Sequence, residues 1–398
     1  MPVCLYCELD KPDIDMTLEH VIPQFMGGAY APDRYKVRRA CKDCNSNLGL
    51  FVDAGFAKSI LAIDSLLIAE APVYDPESPT GLPLNCLGLI EFAVPDMKPD
   101  ECCEYYLGPL GESIFWVRHH DENLYWLQGG NPRTTKKRPS RAYYFPSPAT
   151  PTHPDVAWKS FRDSFPRRKV RKILGDAMPD GDPAEMGFTQ SDELDRARIA
   201  VFQTQLAEAN FGVRSSVNLD ADYRFIAKLA RGVGFAWFGD RALQGHCAAE
   251  IRKAFTIRPG APTPNMRGSG MMDYAGKPNP MMMGHKYGIT LTVTLTAEGA
   301  LLAIDFSQQR GAIIGILDRD LIQRADAERL RHGKSLILFP ALRTSVELGV
   351  ESYIGHVFGR QPHPELQAIE ERLAAFQPNP ALPFHIRLDT QNEPGRQH

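Results

Sequence analysis

Four cysteines stand in two C-x-x-C pairs, Cys4 with Cys7 and Cys41 with Cys44. Thiolates at that spacing suit a closed tetrahedral Zn2+ site in which every position is a protein ligand and none is open to substrate. The expected ion is therefore structural. A module of only about fifty residues buries too little apolar surface to hold itself, and metal binding supplies the missing folding free energy. Cys86, Cys102, Cys103 and Cys247 lack such spacing and read as ordinary thiols.

Between the pairs runs TLEHVIPQFMGG, and the second pair continues as CKDCNSNLG. Phosphodiester hydrolysis needs an activated water, a stabiliser for the charge that develops on phosphorus, and help for the leaving oxygen. An imidazole titrates near neutrality, which makes His20 the natural base for the water. Glu19 and Asn45 offer hard oxygen donors of the kind that bind Mg2+ or a similar divalent cation. Each also has a plainer role: a structural histidine, an exposed carboxylate, a helix cap. Neighbouring side chains on a regular strand face opposite ways, so Glu19 and His20 can share a site only if the backbone bends or turns there. Pro23 fits a strand that ends early. Gly27 and Gly28 suit a tight turn.

The glutamate–histidine pair followed by Val-Ile-Pro, the paired glycine and the asparagine directly after the last cysteine resemble the HNH endonuclease family. The resemblance covers residues 4 to 53 and is carried by the branch with two C-x-x-C knuckles. It implies a ββα-metal module: a hairpin bearing Glu19 and His20, packed on a helix that begins near Cys44 and bears Asn45. It implies His20 as general base, Glu19 and Asn45 as ligands of a catalytic Mg2+ or similar cation, and Cys4, Cys7, Cys41 and Cys44 around structural Zn2+. Many members carry a middle asparagine that orients the base; the matching position here is Lys36. Arg38, Arg39 and Lys42 crowd the same stretch and, with Lys36, are candidate phosphate contacts.

These residues need elements to position them. Residues 1–56 form the nuclease module. Residues 57–174 form a mixed region that opens on FAKSILAIDSLLIAEA, where Phe56, Ile60, Ile63 and Leu67 recur at helical spacing. Strands are expected at LGLIEFAV, ESIFWVRH and NLYWLQ. The Gly-, Pro- and Asp-rich stretch 175–187 reads as a linker. Residues 188–398 form a C-terminal α+β domain. Its expected helices are SDELDRARIAVFQTQLAEANF, opened by Thr189 or Ser191, then DYRFIAKLARGVGFAWFG with a core stripe of Phe225, Leu229, Val233 and Trp237, and PELQAIEERLAAF with Pro364 in its first turn. ITLTVTLTA, ALLAIDF and GAIIGIL read as an antiparallel meander. GMMDYAGKPNPMMMGHKYG (270–288) reads as a loop, and the polar tail after Asp389 as frayed.

The formal net charge is -3, so nucleic acid must be held by local patches. Residues 131–172 supply one, with twelve Lys and Arg against Asp155 and Asp163. Its densest part holds Arg167, Arg168, Lys169, Arg171 and Lys172, suited to backbone contacts that hold a duplex without reading its sequence. No motif of a sequence-reading element is present. No run is long and apolar enough to span a bilayer, and the N-terminus lacks the regions of a signal peptide. Reduced thiols point to the cytoplasm. The expectation is an α+β endonuclease with a zinc-stapled N-terminal module and a larger antiparallel region. Its partner is DNA, with RNA as the other candidate, and its setting is bacterial restriction or antiphage defence by family analogy. Two alternatives stand beside it: a zinc-dependent nucleic-acid-binding protein without chemistry, and an effector nuclease activated by a ligand or partner through its C-terminal region.

Overall fold

The computed structural model describes residues 1–375 except 75–77, 79, 121–127, 166–168, 178–181, 216–217, 258–259 and 271–283. Most of NLYWLQ, the middle of 175–187, Arg167, Arg168, most of the 270–288 stretch and the tail after Asp389 lie outside the described residues. Three sheets and their helices make a mixed α+β chain.

The first sheet is the two-stranded hairpin of β1 (Met16–His20) and β2 (Lys36–Cys41), antiparallel and followed at once by α1 (Lys42–Leu48). A short π turn leads to α2 (Ala54–Ala57) and α3 (Ile60–Glu70), where Ser59 caps the helix by accepting the Ala62 amide. Phe56, Ile63 and Leu67 are buried, as the helical spacing predicts.

The second sheet holds β3 (Asn85–Ile90), β4 (Glu101–Leu107), β5 (Ser113–His119), β6 (Ser140–Phe145), β7 (Val170–Leu174) and β8 (Val213–Arg214) in the order β7-β6-β5-β4-β3-β8. Only the β6–β7 pair is parallel. The crossover between those two strands carries α5 (Pro154–Ser164), and α4 (Pro132–Thr135) lies between β5 and β6. α6 (Glu193–Glu208) packs on the other face, with Phe202 stacked 4.2 Å from Phe115. Its cap is Asp192 rather than Thr189 or Ser191. The Asp192 carboxylate accepts the Asp195 amide while Asp195 reaches back to the Asp192 amide, so a reciprocal capping box fixes the start one residue beyond the nearer candidate.

The third unit opens with α7 (Leu219–Phe238) and α8 (Gly245–Phe255). The remaining strands are β9 (Gly268–Ser269), β10 (Ile289–Thr296), β11 (Gly299–Phe306), β12 (Arg310–Asp318), β13 (Lys334–Phe339) and β14 (Thr344–Gly349), in the order β14-β13-β10-β11-β12-β9. The meander β10–β11–β12 pairs antiparallel, as the alternation predicts. α9 (Arg324–Arg329), α10 (Val350–Val357) and α11 (Pro364–Ala375) complete the unit, with Pro364 opening the last helix.

One hydrophobic core joins the first and third units. It runs from Cys4, Leu5 and Val21 through Phe56 and Leu66 to Phe225, Leu229, Val233 and Trp237 of α7, and on to Leu302 and Leu338 of the sheet. Phe56 stacks on Phe225 with centroids 3.8 Å apart, and the Trp237 indole donates to the Tyr35 hydroxyl at 3.0 Å. The α7 stripe is therefore core, and what it covers is the hairpin module. The second sheet keeps separate clusters on its two faces.

Candidate active site and metal centre

The first cysteine pair brackets a turn, with Cys4 just before it and Cys7 at its end, and the Leu5 amide between them donates to the Arg39 carbonyl of β2 at 2.6 Å. Of the second pair, Cys41 ends β2 and Cys44 sits in the first turn of α1. The four sulfurs lie within 4.8 Å of one another. The Cys41 amide donates to Cys4 Sγ at 3.3 Å, a contact common to thiolate sites. A hydrogen bond from Cys44 pulls the Cys4 thiol down to about 4, while the same contact pushes Cys44 up. The donor set and spacing fit Zn2+. Cys86, Cys102, Cys103 and Cys247 are buried free thiols, as expected.

The hairpin is irregular where chemistry was expected. Thr17 faces Ala40 but Glu19 faces Val37, so β2 carries one extra residue opposite Leu18. Asn45 fastens this bulge: its amide nitrogen donates to Thr17 Oγ1 and to the Leu18 carbonyl, both at 2.9 Å. The amide is thereby fixed, and its Oδ1 is left as a hard oxygen donor. It is not the helix cap, which is Cys41. β1 ends at His20, and Pro23 opens a single 3-10 turn. Gly27 adopts φ 88°, and a Cβ on Gly28 would sit 1.8 Å from the Ile22 carbonyl oxygen, so both glycines are required by the turn.

The bulge does not bring Glu19 and His20 to one face. His20 is half-buried, and among the described residues no side chain hydrogen-bonds its ring. Lys36, directly across the hairpin from His20, turns instead to Asp33 at 3.1 Å. Glu19 points into the core. Its Oε1 accepts the Tyr6 hydroxyl at 2.7 Å and lies 3.1 Å from the Lys228 ammonium of α7, which also binds Asp53. Burial, and then the Glu19 charge, push the Tyr6 phenol well up, so it stays a donor. Burial raises Asp53 against the opposing pull of Lys228. Glu19 is thus already compensated by a buried ammonium. In this arrangement the Asn45 side-chain oxygen is open to a cation, while the Glu19 carboxylate is occupied by Tyr6 and Lys228.

The next turn of α7 repeats the pattern. Arg231 donates to the Leu5 carbonyl at 2.5 Å and pairs with Glu8, so it grips the first cysteine turn. Lys228, Asp53, Tyr6 and Arg231 were missed by sequence reasoning. The available signal was two cations three residues apart inside an apolar helix, where an unpaired charge is costly and a partner must exist.

The basic candidates divide. Arg38 and Lys42 are exposed on the module and make no ion pair among the described residues. Arg39 is engaged with Asp240 at 2.7 Å and with the Val3 carbonyl. Arg171 lies in β7 and binds Asp192 and Asp195 at 2.7 and 2.9 Å, which ties it to the cap of α6. Lys172 is half-buried beside the Trp158 ring, and burial lowers its ammonium. Lys169 is exposed and donates to the Lys137 carbonyl at 2.6 Å. Of the described residues of the dense basic run, Arg171 and Lys172 thus belong to a strand paired to its neighbours, and Lys169 is exposed just before it.

Among the described residues no helix is long and apolar enough to cross a membrane. No curated protein and no solved structure matches the chain. Residues 4–61 match the family model described as HNH endonuclease, which spans both cysteine pairs, the bulged hairpin and α1. The likeness to HNH endonucleases thus lies in the N-terminal part of the chain, where the cysteine frame, the bulged hairpin and α1 come together.

Proposed function

We propose that the chain hydrolyses phosphodiester bonds in DNA. The observation that carries this is the half-exposed His20 at the end of β1, beside a bulge that Asn45 holds from α1 on a four-cysteine frame. His20 takes the proton of the attacking water. Asn45 Oδ1 is the protein donor for Mg2+ or a similar cation, which when bound stabilises charge on the phosphate and the leaving oxygen. Glu19 joins that donor set only if Lys228 releases it. Arg38 and Lys42 are the module's own phosphate contacts. The setting we infer is the reducing cytoplasm of a bacterium, where invading DNA is the substrate; family analogy supports it.

A second reading, the regulated effector, is favoured by Lys228. The grip of α7 on Glu19 makes the third unit a natural control element. A cavity of about 830 Å3 at the junction of the three units, lined among others by Phe25, Lys58, Trp116 and Pro340, is of a size that takes small ligands.

Cleavage of plasmid DNA with Mg2+, with and without chelator, tests the first reading. His20→Ala should lower the rate by roughly two to four orders of magnitude and keep DNA affinity. Asn45→Ala should be partly rescued by more Mg2+, and His20→Ala should not. Wild-type cutting by the His20→Ala protein would sink the assignment. Cleavage that appears only after a cell extract is added would favour the effector.

A further inference from the structure

The middle unit contains a buried ion pair that the proposed chemistry does not use. Glu104 of β4 and Arg118 of β5 are both buried, joined by Arg118 Nη2 to Glu104 Oε1 at 2.7 Å and Nε to Oε2 at 3.0 Å. Glu104 Oε2 also accepts the Tyr106 hydroxyl, and Oε1 accepts the backbone amide of Gly129 at 2.8 Å. The pair thus fastens a loop. Gly129 and Gly130 follow with φ 73° and 59°, and a Cβ on Gly130 would lie 2.7 Å from the Arg118 guanidinium. Asn131 then caps α4 by accepting the Arg133 amide at 2.9 Å, and Pro132 occupies its first turn.

This anchored turn places α4 against the nuclease helix. Arg133 donates to the Asn47 side chain of α1 at 2.6 Å, and its guanidinium lies 4.7 Å from the centre of the Phe51 ring. Beyond Arg133 come Lys136, Lys137 and Arg138, all exposed. Lys136 and Lys137 make no ion pair among the described residues, and Arg138 meets only Asp100, at 3.6 Å. Lys169 joins the group through the Lys137 carbonyl.

We propose that the loop 133–138, with Lys169, is the phosphate clamp of the nuclease: it holds the backbone of the duplex whose scissile bond lies at His20. The proposal rests on the DNA reading above and moves the basic footprint from 167–172 to 133–138. Asn45 and Asn47 lie on opposite sides of α1, and a helix with its side chains is about 10–12 Å across. A duplex carries one charge per about 1.7 Å of axis, so a duplex at the Asn45 side has roughly six phosphates within one helix width. The clamp carries four cations between Arg133 and Arg138 with no acidic residue among them.

The test is fluorescence anisotropy with a labelled 30-bp duplex across a range of salt, in a His20→Ala background so that nothing is cut. Replacing Lys136 and Lys137 together by Ala should flatten the plot of log affinity against log salt by about 1.8, or about 0.9 per contact, for several sequences alike. The melting temperature should not change, because both side chains are exposed. An unchanged slope in a protein that binds duplex overturns the clamp and leaves the nuclease reading standing. A flattened slope in a chain whose wild type never cuts supports the clamp and refutes the nuclease. A parent protein that binds no duplex at any salt overturns both.

Discussion

Asp222, in the first turn of α7, is buried, and neither of its oxygens finds a hydrogen bond among the described residues. Burial pushes its carboxyl up to about 7, against the opposing charge of Arg310. The folded chain therefore keeps a proton that the unfolded chain releases near pH 4. Stability from this group falls as pH rises from about 4 to about 7 and is level above that, because the folded state binds the extra proton throughout that window. Asp222→Asn should abolish this slope and raise the melting temperature at pH 8 more than at pH 5. Identical pH profiles for the two proteins would refute the assignment. At this scale the sequence was legible where chemistry dictates residue type. Four thiols at paired spacing meet around one point, and Asn45 reaches the hairpin. It was not legible where a side chain's direction decides its role. Glu19 and His20 are adjacent, and only the bulge and the neighbouring cation reveal that Glu19 turns inward.

Elements show the same division. The period of α7, the alternation of β10 and the proline at the start of α11 each came through as patterns, since one face is buried and the pattern reports it. β7 did not, because its charged residues masked a five-residue strand whose Arg171 is neutralised by the cap of α6. α7 also carries a prediction. Lys228→Met removes the partner of two carboxylates at once, buried Glu19 and partly buried Asp53. Stranding a buried charge costs about 3–5 kcal/mol. Denaturant melts should show that loss. Added Mn2+ should restore part of it, because a divalent cation can replace the missing ammonium. A variant as stable as wild type would mean that the pair carries little of the interface.

Across the whole molecule, the α+β class and the antiparallel region were readable, but the union of the first and third units was not. Hydrophobic periodicity tells that a face is covered and is silent on which distant segment covers it. Because the core is shared, the zinc frame is expected to stabilise more than the fifty residues around it. Cys41→Ser, or zinc removal by a strong chelator, should lower the melting of the combined unit that contains α7 and β10–β13. Elemental analysis of protein purified without added metal should find one zinc per chain. A separate low-temperature transition confined to the hairpin, with the α7 unit melting as before, would contradict a common core.

The joining of Phe56 to Phe225 has a consequence in time. A ribosome adds about 5–20 residues per second, so the helix that completes the core of the hairpin emerges roughly 10–40 s after the hairpin it covers. During that interval the cysteine turn lacks Arg231 and the carboxylate of Glu19 lacks Lys228. A nascent chain can therefore gather its four cysteines early but cannot close the core around them until α7 has been made. If translation stops before α7, the unfinished product lacks the surface on which the hairpin packs.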